Sequence, residues 1–468
     1  MEPLTRRDLL RSGLAAGLGL SIAPSPLDAE GPLSPSPRGP RGSGVGVRAG
    51  GEGLEAAVKA ARWLKTARVA TGHGFLWLTG PEKPEGFDAV TNLYAGSAGV
   101  VLFLHELAQV TGEASYREEA VAGAYYLAAL VPTEPGRANC GLYTGLAGQA
   151  FVLDRVAATT GEAPLRQAAE RCRELIRADA KPAGAGVEWS EVTDVVYGSA
   201  GTGLYLLHHA RSTGDTAARD LAVRAGQRLV ELALPEHGGS KWRMDPEFAR
   251  LMPNFSHGTS GVAYFLATLF RDTGRRELLD AALAGGRYLQ AIATTTGDSC
   301  LIFHHEPEGK DLYYLGWCHG PAGTARLFYQ LHRATDDKLW LDWTGRSAQG
   351  VMSSGIPEQR SPGFWNNAGM CCGTAGVADF FLHLHTATGE ERYLAFARRM
   401  TADLLKHATA TPEGGLKWIH AEHRIRPEYT YAQTGYMQGA AGIGTLLLHM
   451  AAKEAGKPWD LRLPDVPY

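Results

Sequence analysis

The sequence has no long run of basic residues, and its formal net charge is only −3. That removes the electrostatic footprint of a nucleic-acid-binding protein. Beyond the amino terminus no segment is long and apolar enough to cross a bilayer, so no stable membrane insertion is expected of the mature chain. Cysteine is scarce, with six among 468 residues: Cys140, Cys172, Cys300, Cys318, Cys371 and Cys372. A disulfide framework serves small secreted scaffolds, and a chain of this length with 44% hydrophobic residues builds a core without one.

Glycine, by contrast, is abundant and ordered. A Gly-x-x-Gly step recurs seven times, at Gly96 to Gly99, Gly145 to Gly148, Gly198 to Gly201, Gly258 to Gly261, Gly320 to Gly323, Gly373 to Gly376 and Gly439 to Gly442. After six of the steps a turn residue lies sixteen positions past the first glycine: Gly112, Gly161, Gly214, Gly274, Asp336 and Gly389 (for example 112 − 96 = 16). Such register signals a repeat architecture, and seven copies spread over nearly the whole chain argue for one closed unit.

Each step opens a run that is apolar nearly all round, such as Val100 to Leu104, Gly203 to Leu207, Val262 to Leu266 and Ile443 to Leu448. A helix of that composition is buried on every side. Between these runs the periodicity predicts amphipathic helices over Leu54–Val69, Tyr116–Leu130, Leu165–Ile176, Thr216–Leu232, Arg276–Ile292, Lys338–Val351 and Glu391–Leu405. The expectation is an all-α fold over 54–468: an (α/α)7 toroid, a double ring with apolar helices inside and amphipathic ones outside. The glycines let loop backbone approach closely at one end of the ring, where all seven inner helix N-termini meet. Their dipoles are expected to favour anions there and to lower thiol pKa values, so function belongs at that mouth.

Ahead of this unit, Arg6-Arg7 precedes a short apolar run from Ser12 to Ala23, which reads as a twin-arginine export signal over 1–29. Residues 30–53 are rich in Gly, Pro, Ser and Arg and read as an unstructured linker. The expected location is periplasmic or extracellular.

Three thiols stand at matching places on adjacent repeats. Cys318 lies two residues before Gly320; Cys371 and Cys372 lie two and one before Gly373. Soft thiolates select zinc, and three of them leave the fourth tetrahedral position open, as catalytic zinc requires. The alternatives are a Cys371-Cys372 disulfide or thiols used as packing. Export of a folded chain suits a protein that takes up metal first. Cys140, Cys172 and Cys300 are out of step with Cys318 and read as core or loop thiols. His257 occupies the slot before Gly258, as Cys372 does before Gly373, and is a candidate acid or base. Asp194, just ahead of the third step, is a candidate to orient it. His319, His420 and His423 are weaker candidates for the mouth.

The seven glycine steps, Trp317-Cys318-His319-Gly320 and Cys371-Cys372-Gly373 resemble the lanthionine synthetase C-like family over about Leu54 to Met450. The resemblance implies an (α/α)7 toroid with one zinc that activates a cysteine thiol for Michael-type addition to a dehydroalanine or dehydrobutyrine. It implies Cys318, Cys371 and Cys372 as zinc ligands, His257 and Asp194 as active-site residues, and a peptide or small thiol substrate; a monomer is expected. This chain departs from the family's pattern in three respects. Cys372 replaces a histidine ligand, Tyr314 stands where many bacterial cyclases carry arginine, and an export signal is unusual for a cyclase. Two other readings use the same sequence: a non-catalytic exported receptor for zinc, thiols or peptides, and a carbohydrate enzyme on an α/α toroid. The latter would draw on Asp194 with Glu188 or Glu191 and on Trp189, Trp242 and Trp365.

Overall fold

Ring closure is what the repeat must achieve, and the helices achieve it by packing each pair on the next. The computed structural model of the chain describes residues 49–83, 89–359 and 363–468. The export signal predicted over 1–29 and the linker predicted over 30–53, apart from its last few residues, lie outside them. Seven inner helices of fifteen residues each follow the seven glycine steps: α2 (Ser97–Thr111), α4 (Leu146–Thr160), α6 (Ser199–Thr213), α8 (Thr259–Thr273), α10 (Pro321–Thr335), α12 (Thr374–Thr388) and α14 (Ala440–Glu454). Each contacts the next, and α14 returns to α2. The structure is therefore the (α/α)7 toroid expected.

The outer ring is α1 (Ala49–Thr66), α3 (Ala114–Leu130), α5 (Ala163–Ala178), α7 (Thr216–Glu231), α9 (Arg276–Ile292), α11 (Lys338–Ser353) and α13 (Glu391–Lys406). In α5 the buried residues Leu165, Ala169, Cys172, Leu175 and Ile176 fall on one face, the stripe an amphipathic helix turns to its partner. Six outer helices pack on the inner helix that precedes them. The seventh pair joins α1 to α14, so the first described helix completes the last repeat. The predicted turns close six inner helices in the left-handed region, at Gly112, Gly161, Gly214, Gly274 and Gly389 and, at φ 58°, at Asp336.

Among the described residues seven two-stranded ladders, absent from the sequence expectation, decorate the ring. Five are hairpins that follow outer helices: β1 (Arg68–Thr71) with β2 (Gly74–Trp77), β3 (Lys181–Ala183) with β4 (Gly186–Glu188), β5 (Leu234–Glu236) with β6 (Gly239–Lys241), β7 (Thr294–Thr296) with β8 (Ser299–Leu301), and β11 (Thr409–Ala410) with β12 (Leu416–Lys417). After three of them a tryptophan indole N–H donates to a carbonyl in the last turn of the preceding outer helix: Trp189 to Ile176 (2.7 Å), Trp242 to Leu229 (2.6 Å) and Trp418 to Leu404 (2.8 Å). Two further ladders precede the loops that bear the site. They are β9 (Tyr313–Tyr314) parallel to β10 (Phe364–Trp365), and β13 (Ile419–Ala421) antiparallel to β14 (Thr430–Ala432).

The glycine steps exist because the loop before each inner helix folds back onto its first turn. A Cβ on Gly258 would sit 1.6 Å from the Met252 carbonyl oxygen, and one on Gly323 would sit 1.8 Å from that of Trp317. Folded this way, the loops bond to one another in a closed belt. Tyr94 N donates to Tyr143 O, Tyr143 N to Val196 O, Val195 N to Ser256 O, Ser256 N to Cys318 O, Cys318 N to Cys371 O, Cys371 N to Met437 O, and Met437 N back to Tyr94 O, at 2.8–3.2 Å. Every residue in it except Val195 lies two positions before its glycine step.

Candidate metal centre and active site

The belt places Cys318 beside Cys371, because one donates its N–H to the other's carbonyl at 3.0 Å. Cys372, one residue on, turns its sulfur to both: Sγ of Cys372 lies 3.2 Å from that of Cys318 and 3.4 Å from that of Cys371. All three are buried and free, so neither the disulfide alternative nor simple dispersal in the core describes them. Their separations approach the roughly 3.8 Å edge that Zn–S bonds of about 2.3 Å set in a tetrahedron. Three soft sulfurs on two adjacent loops, with a fourth direction left to a ligand, fit a zinc ion.

Around the sulfurs stand residues the sequence reading passed over. The Tyr94 hydroxyl approaches Cys371, and burial, then the charge of that cysteine, holds it protonated as a donor. Gln438 Nε2 donates to the Tyr94 hydroxyl at 3.2 Å and lies 4.0 Å from the Cys372 sulfur. Glu422, just after β13, accepts from the Tyr431 hydroxyl at 2.7 Å, and burial pushes its carboxyl up to about 7. The thiols divide: against burial, hydrogen bonds from Cys318, Cys372 and Tyr94 hold Cys371 well below the usual range, while Cys318 is raised. Burial first, then the hydrogen bonding and charge of its two sulfur neighbours, pushes that thiol well above the usual range.

His257 and Asp194 meet at 2.6 Å, Nδ1 to Oδ2, with Asp194 fully buried. The other carboxylate oxygen accepts the backbone N–H groups of Tyr197 (2.7 Å) and Gly198 (2.9 Å). This geometry suits Nδ1–H donating to the carboxylate, which in the neutral imidazole makes Nε2 the acceptor. Two rings tie this pair to the thiol site. Tyr197 stacks on His257 with centroids 6.0 Å apart, and its hydroxyl is raised by burial, then by the charges of Asp194, Glu422 and Cys371. His319, adjacent to Cys318, lies 5.6 Å from His257.

His319 is buried and pushed well below its ordinary range, by burial and then by His304, whose ring lies 4.1 Å away. It is a neutral neighbour of the site. His420 is buried, its nitrogens have no partner among the described residues, and burial lowers its value to about 4. His423 stands 3.8 Å from Glu422. Tyr314 packs edge-on against His304 (4.3 Å) and His319 (5.8 Å). Burial and the charges of Cys372 and Cys318 keep it protonated against the opposing positive charge of Arg424, which lies between β13 and β14.

Cys140, Cys172 and Cys300 are buried, and burial raises all three thiols, Cys172 to about 12. Among the residues weighed for carbohydrate chemistry, Glu188 is bound by Arg228 at 2.9 Å and Glu191 is exposed. Trp189 and Trp242 anchor hairpins, while Trp365 stands 6.4 Å from Tyr314.

Residues 89–461 match the family model described as lanthionine synthetase C-like protein. No curated protein matches the chain. Among solved structures, nisin cyclase superposes with a TM-score of 0.61 at 14% identity, over 89% of this chain and 96% of that one. An inactive variant of the α-1,6-mannanase GH76A of Salegentibacter sp. HEL1_6 gives 0.47 at 13% identity, over 86% and 99%. An unsaturated glucuronyl hydrolase specific for heparin gives 0.47 at 10%, over 88% and 98%.

Proposed function

The chain belongs to the lanthionine synthetase C-like family, and from that premise we propose that it adds a thiol to an electrophilic alkene of the dehydroamino acid kind. The observation that carries this reading is the meeting of three buried thiols and the Asp194–His257 pair on adjacent loops of one rim. Cys318, Cys371 and Cys372 would hold zinc, which when bound supplies a lowered pKa to a substrate thiol. His257 Nε2 takes the proton released from that thiol, and Asp194 fixes the tautomer that makes Nε2 the base. The S–C bond then forms at the β-carbon of the alkene. Its π electrons move toward the carbonyl oxygen, where the Tyr314 hydroxyl, with Arg424 beside it, supplies a donor. The proton held by His257 then passes to the α-carbon, so thiol and alkene balance with no other reactant.

The reading extends to substrates that are peptides or small thiols, to a monomer, and to export of the folded chain on the signal over 1–29. Its test is a set of assays on the purified chain. Thiol addition is followed with a dehydroalanine- or dehydrobutyrine-containing peptide, and X-ray absorption reads the metal's neighbours. Cys372→Ala is expected to lose the sulfur-bound zinc and the addition together. An active variant devoid of that zinc would sink the mechanism. Binding of peptide without turnover by the zinc-loaded wild type would favour a receptor.

A further inference from the structure

Below the belt, on the side away from the mouth, a second group of ligating side chains converges. Asp379 and His383 stand one turn apart on α12, and His449 faces them from the adjacent inner helix α14; their donor atoms all lie within 4.8 Å of one another. His383 Nε2 is 3.5 Å from Asp379 Oδ1. That is near the roughly 3.3 Å edge of a tetrahedron with bonds of about 2.0–2.1 Å to nitrogen and oxygen. The three line a chamber of about 20 Å³, together with Trp317, Met370 and Arg326. Such a space holds one ion or one water molecule.

His449 supplies the independent sign. It is only 5% exposed, and neither ring nitrogen has a hydrogen-bond partner among the described residues. One face of the ring stacks on Trp459 at 5.3 Å and 21°. An imidazole buried this way forfeits the hydration of two polar atoms, and each left unpaired is costly. Coordination of a metal by one of the nitrogens removes the cost at that atom. Charge points the same way. Arg326 faces two carboxylates, Asp465 at 2.9 Å and Asp379 at 3.7 Å, so the chamber floor carries one negative charge in excess. Arg326 also holds the Asp379 oxygen turned away from His383, as a neighbour that orients a ligating carboxylate does.

We propose that Asp379, His383 and His449 form a second metal site, for a divalent transition ion of the zinc type. Two imidazoles and a carboxylate are a borderline donor set, distinct from the three thiolates above. Trp317 and Met370, the chain neighbours of Cys318 and Cys371, separate the two. The ion would pin α12, whose preceding loop carries Cys371, to α14, which closes the ring.

The chemical difference makes the sites separable. The full chain, produced with zinc in the medium, is expected to carry two zinc ions. Its Cys318→Ser/Cys371→Ser/Cys372→Ser variant is expected to keep one, with only nitrogen and oxygen neighbours by X-ray absorption. His449→Leu in the wild-type background should take the count from two to one and leave sulfur as the dominant neighbour. A wild type with one sulfur-bound zinc, or a His449→Leu chain that still holds two, would overturn the proposal. So would a folded triple variant, judged by circular dichroism, that carries none. Each of these results leaves the thiolate reading standing, and absence of sulfur-bound zinc alone would leave this one standing.

Discussion

The Trp317 indole N–H donates to Asp465 Oδ2 at 3.0 Å, across 148 residues of chain. The same carboxylate receives Arg326 Nη1 at 2.9 Å and the Tyr143 hydroxyl at 3.1 Å, and it is fully buried. A residue beyond the last helix therefore stops the floor of the ring and holds the side chain next to Cys318. Removing one partner of a buried ion pair leaves the other uncompensated, at a cost of roughly 3–5 kcal/mol. Asp465→Ala should lower the urea midpoint by a corresponding amount. Asp465→Asn keeps an acceptor for Trp317 and should lose less. Equal midpoints for Ala and wild type would show that Arg326 is satisfied by Asp379 alone.

Asp194 and His257 give a prediction that separates chemistry from fold. In Asp194→Asn the amide oxygen keeps the two backbone donors if it stays in place, but an NH2 then faces Nδ1 and selects the opposite tautomer. General base catalysis contributes typically 10²–10⁴-fold. Thiol addition should fall by roughly that factor, with sulfur-bound zinc content unchanged. A variant within threefold of wild type would remove His257 from the proton path.

Acid stability follows from buried histidines that belong to neither proposed metal site. Burial, then Arg155, pushes His105 down to about 4; burial, then Arg211, does the same to His208. In the unfolded chain both take a proton near pH 6.5, while the folded chain resists until about pH 4. Stability is therefore complete above pH 6.5 and falls as pH drops toward 4, by up to about 3 kcal/mol per histidine. His105→Leu should flatten that fall by about one proton's worth, read from urea unfolding at pH 7.5 and 5. An unchanged slope would mean that His105 does not stay neutral in the fold.

Much of this was legible because it is periodic. Inner helices buried on every side leave nearly unbroken apolar runs, and the left-handed turns need glycine, or Asp336 in its place, at a fixed distance. The slots before each glycine step announced Cys318, Cys371, Cys372 and His257. The same slots hold Tyr94 in the first repeat and Gln438 in the seventh, yet their meeting depends on ring closure between residues 344 apart. No local pattern reports that, nor the pairing of α1 with α14. The hairpins escaped because strands such as Lys181–Ala183 and Leu234–Glu236 are three residues long and contain proline, too short for alternation. Asp379 and His383 lie inside an apolar run, and His449 inside another; only the packing of α12 on α14 makes them neighbours.

The two kinds of glycine differ in what they tolerate, and this tests the belt directly. Gly112 ends α2 at φ 74° with open space where a methyl group would stand, so Gly112→Ala meets only backbone strain, about 1–2 kcal/mol. Gly323 lies in the first turn of α10, where helical backbone suits any residue, but a Cβ there would lie 1.8 Å from the Trp317 carbonyl oxygen and 2.7 Å from the Phe255 Cβ. Relief requires the loop to lift off α10. That loop carries Cys318 and the bonds from Ser256 and to Cys371, so Gly323→Ala should cost well over the strain at Gly112 and also release sulfur-bound zinc. Gly112→Ala should keep its zinc. Calorimetry with metal analysis on both variants decides the matter. If Gly323→Ala retains sulfur-bound zinc and melts with Gly112→Ala, the close approach of loop and helix is not what holds the three thiols together.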